Sequence, residues 1–251
     1  MNRLNETYRA FYQQGFIPIF VQDDDDPKTQ VTAAVTAGCS LIEYTQRRFD
    51  APEMIPWIKR EFPDLHIVIG SVLDDDSIVR QQRRHYPQLR TLDEWADLGV
   101  DGFVSMLGWK RETIAKWSST HFVVPSAMTL REANLQMSAG AHFIKMDGRD
   151  LDLVKRCGEP PVFGFCPIFV TGGMTLDRIP IALRSGAVAV AAGFDLITKE
   201  SGDITEAILA EAIRRRIELV KEYRGEVPED LNDLPHYIPN SIEKQIESEV
   251  S

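Results

Sequence analysis

Cysteine is scarce in this chain: Cys39, Cys157 and Cys166 are its only three among 251 residues. An odd number without close spacing excludes a disulfide framework and a cysteine-held metal, and predicts reduced thiols in the cytoplasm. There is also no apolar run long enough to cross a bilayer, and Met1-Asn2-Arg3-Leu4-Asn5-Glu6 lacks the apolar core of a secretion signal. Positive charge is in deficit, with 28 Lys and Arg against 38 Asp and Glu and a net charge of −10. That balance argues against nucleic acid or an anionic membrane as the partner. A dinucleotide fingerprint is missing too, since Gly172-Gly173 is a pair and not GxGxxG.

What the chain does have is alternation. A lead-in helix over 1–14 precedes a first strand at Phe16–Val21, and Pro27 opens a helix that runs to Gly38. Leu41–Arg47 reads as the second strand with a helix over Pro52–Phe62, and His66–Val72 as the third. Beyond a long polar excursion come a helix near Leu92–Leu98, a fourth strand at Gly102–Leu107 and a helix at Arg111–Trp117. Phe122–Ala127 is the fifth strand, followed by a helix over Leu130–Ala139; the apolar stretch Ala141–Gly148 is the sixth strand. Pro167–Thr171 and Ala187–Ala192 complete the set, with helices over Leu176–Ser185 and Ile204–Tyr223. Eight strand–helix units in strict order predict a closed (β/α)8 TIM barrel over 1–224, with Gly38, Gly99, Gly140 and Gly186 as helix C-caps. Residues 225–251 form a proline-rich, acidic tail, read either as a surface strap anchored by Leu234, Tyr237 and Ile238 or as a partly disordered segment, with a short helix at Ser241–Glu249.

Polar residues on barrel strands point to the chemistry. Lys145 stands on an otherwise apolar strand, where an ammonium is costly unless it is paired or kept for a reaction. Glu43, Thr45 and Arg47 share one face of the second strand, either as an internal Glu43–Arg47 salt bridge or as part of a site. Small residues end the third strand (Gly70, Ser71), and glycines end the seventh and eighth (Gly172, Gly173, Gly193), where barrels commonly bind anions. A lysine, a carboxylate, an arginine and small hydroxyls at one rim suit Schiff-base chemistry on a keto acid. Arg47 would either depress the lysine's pKa or hold the substrate's carboxylate.

These residues resemble the 2-keto-3-deoxy-6-phosphogluconate / 2-keto-4-hydroxyglutarate aldolase family of class I aldolases, over roughly residues 14–200. Leu41-Ile42-Glu43-Tyr44-Thr45-Gln46-Arg47 is similar to the family's Leu-Glu-Val-Thr-Leu-Arg segment, which implies Glu43 as acid/base and Arg47 as carboxylate ligand. Ile69-Gly70-Ser71-Val72-Leu73 resembles Gly-Thr-Val-Leu, with Ser71 in place of a pyruvate-contacting threonine. Pro125–Glu132 resembles Pro-Gly-Val-Ala-Thr-Pro-x-Glu, matching Thr129 and Glu132; Lys145 falls on the Schiff-base lysine, and Thr171-Gly172-Gly173 on the substrate-binding Thr-Gly-Gly. The resemblance implies a lyase that releases pyruvate and an aldehyde from a 2-keto-3-deoxy sugar acid, phosphorylated at C6 or not, or splits 4-hydroxy-2-oxoglutarate into pyruvate and glyoxylate. It further implies no metal or organic cofactor and a homotrimer.

The sequence departs from the family at four places. Lys-Phe-Phe-Pro becomes Lys145-Met146-Asp147-Gly148, which places Asp147 on the lysine's own face as a pairing partner, proton shuttle or hydroxyl ligand. Gly-Gly-Ser becomes Ala191-Ala192-Gly193, and Ser105-Met106-Leu107-Gly108 lacks the family's proline. Asp74–Arg90 is an insertion carrying Arg80, Arg83, Arg84, His85 and Arg90, read as a solvated or oligomer-contacting loop, or else a cationic lid. Three rivals follow: a metal-dependent aldolase or hydratase using Asp23–Asp26, Asp74–Asp76 and Asp147, a phosphosugar isomerase or epimerase, and a catalytically degenerate sugar-acid-binding homologue.

Overall fold

Eight parallel strands follow one another around a barrel in the computed structural model, which describes residues 2–23, 25–159, 162, 164–202 and 205–224. In chain order the elements are α1 (Arg3–Gln14), β1 (Phe16–Phe20), α2 (Pro27–Thr36), β2 (Leu41–Thr45), α3 (Ala51–Glu61), β3 (His66–Gly70), α4 (Asp76–Gln82), α5 (Leu92–Asp97), β4 (Gly102–Val104) and α6 (Arg111–Trp117). They continue with β5 (Phe122–Val124), α7 (Leu130–Ser138), β6 (Ile144–Asp147), α8 (Leu151–Gly158), β7 (Ile168–Thr171), α9 (Ile179–Arg184), β8 (Ala189–Gly193), α10 (Phe194–Ser201) and α11 (Glu206–Arg224). Ladder pairing runs continuously from β5 through β1 and β8 to β6. The ring closes where Ser126 bridges Lys145, with Lys145 N–H donating to Pro125 O at 2.8 Å and Ala127 N–H to Lys145 O at 3.1 Å.

Strand periodicity divides the core in two. Outward-facing Ile42, Ile67, Ile144, Met146 and Val190 pack against the helices. Inward-facing Ile17, Leu41, Val68, Val104, Phe122, Phe143 and Phe169 fill the barrel axis together with α1. The lead-in helix plugs the N-terminal end: the Phe11 ring lies 4.9 Å from each of Phe122, Phe143 and Phe169. A polar clamp fixes it there, since Asp101 accepts from Arg3 Nε at 2.7 Å, Lys59 Nζ at 2.6 Å and the Ile67 N–H at 2.7 Å. With apolar rings below, the polar side chains of the same strands are raised to the C-terminal rim. Through β6 and the residue before it the inward series runs Phe143, Lys145, Asp147, from plug to mouth.

Several expected bounds shift. The predicted glycine caps Gly38, Gly99, Gly140 and Gly186 have φ between 85° and 105°, the left-handed conformation that ends a helix ahead of a strand. β4 stops at Val104, short of Leu107; just beyond it the Ser105 N–H still donates to Val124 O at 3.0 Å and its hydroxyl to Val72 O at 2.8 Å. The polar excursion after β3 contains α4, and β8 is followed by α10 before the long terminal helix. Neither helix is among the elements expected from the sequence. The proposed strap and its helix at Ser241–Glu249 lie outside the described residues.

Candidate active site

The rim encloses a cavity of about 660 Å³, lined among others by Glu43, Arg47, Ser71, Lys145, Asp147, Thr171, Gly172, Gly173 and Gly193. Its centre is an ion pair: Lys145 Nζ donates to Glu43 Oε1 at 3.2 Å, with the two side chains 5% and 1% exposed. The Phe169 ring lies 5.5 Å below the ammonium. Glu43 therefore pairs with Lys145 rather than with Arg47, and its second oxygen, Oε2, is buried without a hydrogen-bond partner among the described residues.

Local sequence explains how that pair is placed. A Cβ at Gly70 would lie 2.2 Å from Glu43 Oε1. The small residue expected to let something approach the end of β3 admits the glutamate of the neighbouring strand. Ser71 follows with φ 63°, the one described non-glycine residue in the left-handed region, and its carbonyl accepts from Gln46 Nε2 at 2.7 Å. Such a conformation stores on the order of 1–3 kcal/mol and is characteristic of binding sites. Arg47 is exposed at the mouth, and Gln88 of the insertion donates to its carbonyl at 3.2 Å. Thr171 is buried at the end of β7, its hydroxyl 3.9 Å from the Met106 sulfur.

Asp147 does not touch the lysine. Arg149 binds it twice through Nε, at 2.9 and 3.0 Å, and again through Nη2. That hydrogen-bonded guanidinium holds the Asp147 carboxyl below the usual carboxylate range. The lysine's carboxylate partner is across the barrel on β2, not two residues along its own strand.

Thr129 stays apart from the cavity. It is exposed and caps α7, accepting the Glu132 N–H at 3.1 Å, while Glu132 reaches back to the Met128 N–H at 2.8 Å. The insertion's arginines are likewise absent from the lining. Arg83 binds Glu94, and Arg90 caps the carbonyls of Pro87 and Leu89 at 2.6 and 2.9 Å. The aspartate runs serve local structure as well: Asp26 and Asp75 cap α2 and α4, and Asp23 accepts the Phe49 N–H at 2.9 Å. Among the described residues no group of three or more His, Cys, Asp and Glu is arranged to hold a metal.

Two charged lining residues, Asp195 and Arg149, carry no expectation from the sequence. Asp195 stands in the first turn of α10, a helix whose only signal was an acidic residue and Leu-Ile spacing behind Gly193.

No family model matches the sequence, and no curated protein does. Solved structures match its fold. A 2-keto-3-deoxy-6-phosphogluconate aldolase of Zymomonas mobilis superposes with a TM-score of 0.66 at 20% identity, over 86% of this chain and 95% of that one. A 4-hydroxy-2-oxoglutarate/2-dehydro-3-deoxyphosphogluconate aldolase from TTHB1 gives 0.65 at 16%, over 88% and 99%. A thiamine phosphate pyrophosphorylase of Pyrococcus furiosus gives 0.59 at 14%, over 86% and 100%. At such identities the likeness is one of fold: the chain is a (β/α)8 barrel similar to aldolases and to other barrel enzymes.

Proposed function

We propose that this barrel is a class I aldolase acting on 2-keto-3-deoxy or 4-hydroxy-2-keto acids. The observation that carries the reading is the buried Lys145–Glu43 pair, 3.2 Å apart, facing the cavity at the C-terminal rim. An amine that must become neutral to attack a carbonyl needs a base within hydrogen-bond reach, and Glu43 stands there. Glu43 takes the proton from Lys145, the amine adds to the C2 carbonyl, and Glu43 returns the proton so that the carbinolamine oxygen leaves as water. The resulting iminium draws electrons from the C3–C4 bond as Glu43, again a carboxylate, takes the proton of the C4 hydroxyl and an aldehyde departs. Protonation of the enamine at C3 and hydrolysis then release pyruvate and restore the lysine. Arg47 holds the keto acid's carboxylate, Ser71 and Thr171 supply hydroxyls beside it, and Gly172, Gly173 and Gly193 border the distal end. These steps use the chain's own side chains throughout.

Borohydride reduction in the presence of pyruvate tests the reading. It should add a pyruvate-derived mass to the peptide containing Lys145 and to no peptide of Lys145→Ala. Unchanged pyruvate release from Lys145→Ala would remove this lysine from the reaction. We take the protein to work as a homotrimer, as the family resemblance implies; a monomeric mass in sedimentation equilibrium would refute that.

A further inference from the structure

The glycine turns that close β7 and β8 are already faced by carboxylates of this chain. A Cβ at Gly193 would lie 2.1 Å from Asp195 Oδ1 and 3.3 Å from its Cγ. The Asp195 side chain, from the first turn of α10, is therefore folded back over the strand-eight turn. A Cβ at Gly172 would lie 3.4 Å from Asp147 Oδ1. Both carboxylates line the same cavity as Lys145.

Charge pairing sharpens the point. The cavity is lined by three cations (Arg47, Lys145, Arg149) and three carboxylates (Glu43, Asp147, Asp195). Lys145 is paired with Glu43 and Arg149 with Asp147. Arg47, just past β2, is left for the keto acid's own carboxylate, and Asp195 is left over beside the Gly193 turn at the end of β8. A phosphate dianion lodged against Gly172, Gly173 and Gly193 would meet Asp195 at close range, a like-charge contact of the kind that rejects wrong ligands. Sugar hydroxyls have the reverse preference, because an ionised carboxylate is purely an acceptor and forms strong bonds to O–H donors. At the reacting end, the almost fully buried Glu43 Oε2 has no hydrogen-bond partner among the described residues.

We infer that the distal subsite takes an uncharged, hydroxylated chain, so that the substrate is a 2-keto-3-deoxy sugar acid without a terminal phosphate, and that Asp195 sets this choice. The inference rests on the aldolase reading and deepens it. The test compares pyruvate release from 2-keto-3-deoxygluconate and 2-keto-3-deoxygalactonate with release from their 6-phosphates, alongside pyruvate–borohydride trapping on the same enzyme. The wild type should favour the unphosphorylated acids at least ~10-fold in kcat/KM, and Asp195→Asn should shrink that ratio at least ~10-fold, chiefly through a lower KM for the phosphates. Asp195→Ser provides the same readout if the amide variant folds poorly. A wild-type preference for the phosphates, or a ratio unmoved by either variant, overturns the inference while successful trapping keeps the aldolase reading. Trapping without cleavage of any of the four acids overturns it too. Absence of trapping removes both.

Discussion

Lys145 and Glu43 are joined by more than reactivity. Each is a charge withdrawn from water, and each is tolerable only because the other is 3.2 Å away. Breaking such a pair by removing one partner typically costs about 3–5 kcal/mol, whereas removing both charges is often close to neutral. Lys145→Met should therefore lower unfolding stability by about 3 kcal/mol, and Lys145→Met with Glu43→Gln should recover most of that loss, while every form lacking the lysine should release no pyruvate. Urea denaturation of the wild type, the two single variants and the double variant measures it; costs that simply add would mean that the two groups do not sense each other. Thr129 belongs at the other extreme. As a helix cap it should cost about 1 kcal/mol on substitution by alanine, with kcat/KM for pyruvate release unchanged. A large fall in kcat/KM at wild-type stability would return Thr129 to the site. The contrast shows what single residues disclose. A charged residue on a barrel strand has few places to go, so Lys145 and Glu43 stood out in the sequence. Thr129-Leu130-Arg131-Glu132 also fits the threonine-to-glutamate spacing of a capping box, and the resemblance to a substrate-binding stretch concealed that local use.

At the level of elements, β2 and β3 meet so closely that one hydrogen decides the geometry. Gly70→Ala would push a methyl to within 2.2 Å of Glu43 Oε1, driving the carboxylate off the lysine. Gly70 is not in the left-handed region, so the backbone itself accepts alanine. A misplacement of about 1 Å at reacting groups can cost on the order of 100-fold, and imine formation with pyruvate should slow by about that factor while the barrel stays folded. Trapping kinetics at matched circular dichroism check this, and a wild-type rate would show that the carboxylate's position is immaterial. The order of strands was readable because apolar runs and glycine-capped helices recur at regular spacing. Their ends were less so, because where a ladder stops depends on partners distant in sequence. α10 escaped notice because Gly193 looked like the close of an anion-binding turn, when it is also the N-cap of that helix. The insertion's basic residues gave no sign in the sequence that Glu94 and backbone carbonyls would engage them.

Across the whole molecule, charge is sorted along the barrel axis: the polar groups of the cavity at one mouth, and the aromatic plug with the Asp101 clamp at the other end. The plug end also holds a titratable group that has no part in the proposed reaction. His66 is 7% exposed, and its Nδ1 lies 2.8 Å from the Thr7 hydroxyl. That hydroxyl already donates to Arg3 O at 2.9 Å, so His66 donates through Nδ1 and remains neutral at Nε2. Burial, reinforced by the nearby Arg3 and Lys59 and opposed by Asp101, pushes its pKa down to about 4. Burial does the same to His142, also to about 4. A depressed histidine pKa means that the unfolded chain binds the extra proton first. The stabilisation is thus complete above the unfolded value of about 6.5 and is lost as pH falls from there towards 4. Each histidine contributes a slope of at most about 1.4 kcal/mol per pH unit in that window. Unfolding free energies from urea titrations should accordingly be level from pH 8 to 7 and fall steadily from 6.5 to 4.5, and His66→Asn should flatten part of that fall. A stability curve with no slope between pH 6.5 and 4.5 would mean that these rings are protonated in the native barrel, and that its base is far more open to water than its packing indicates.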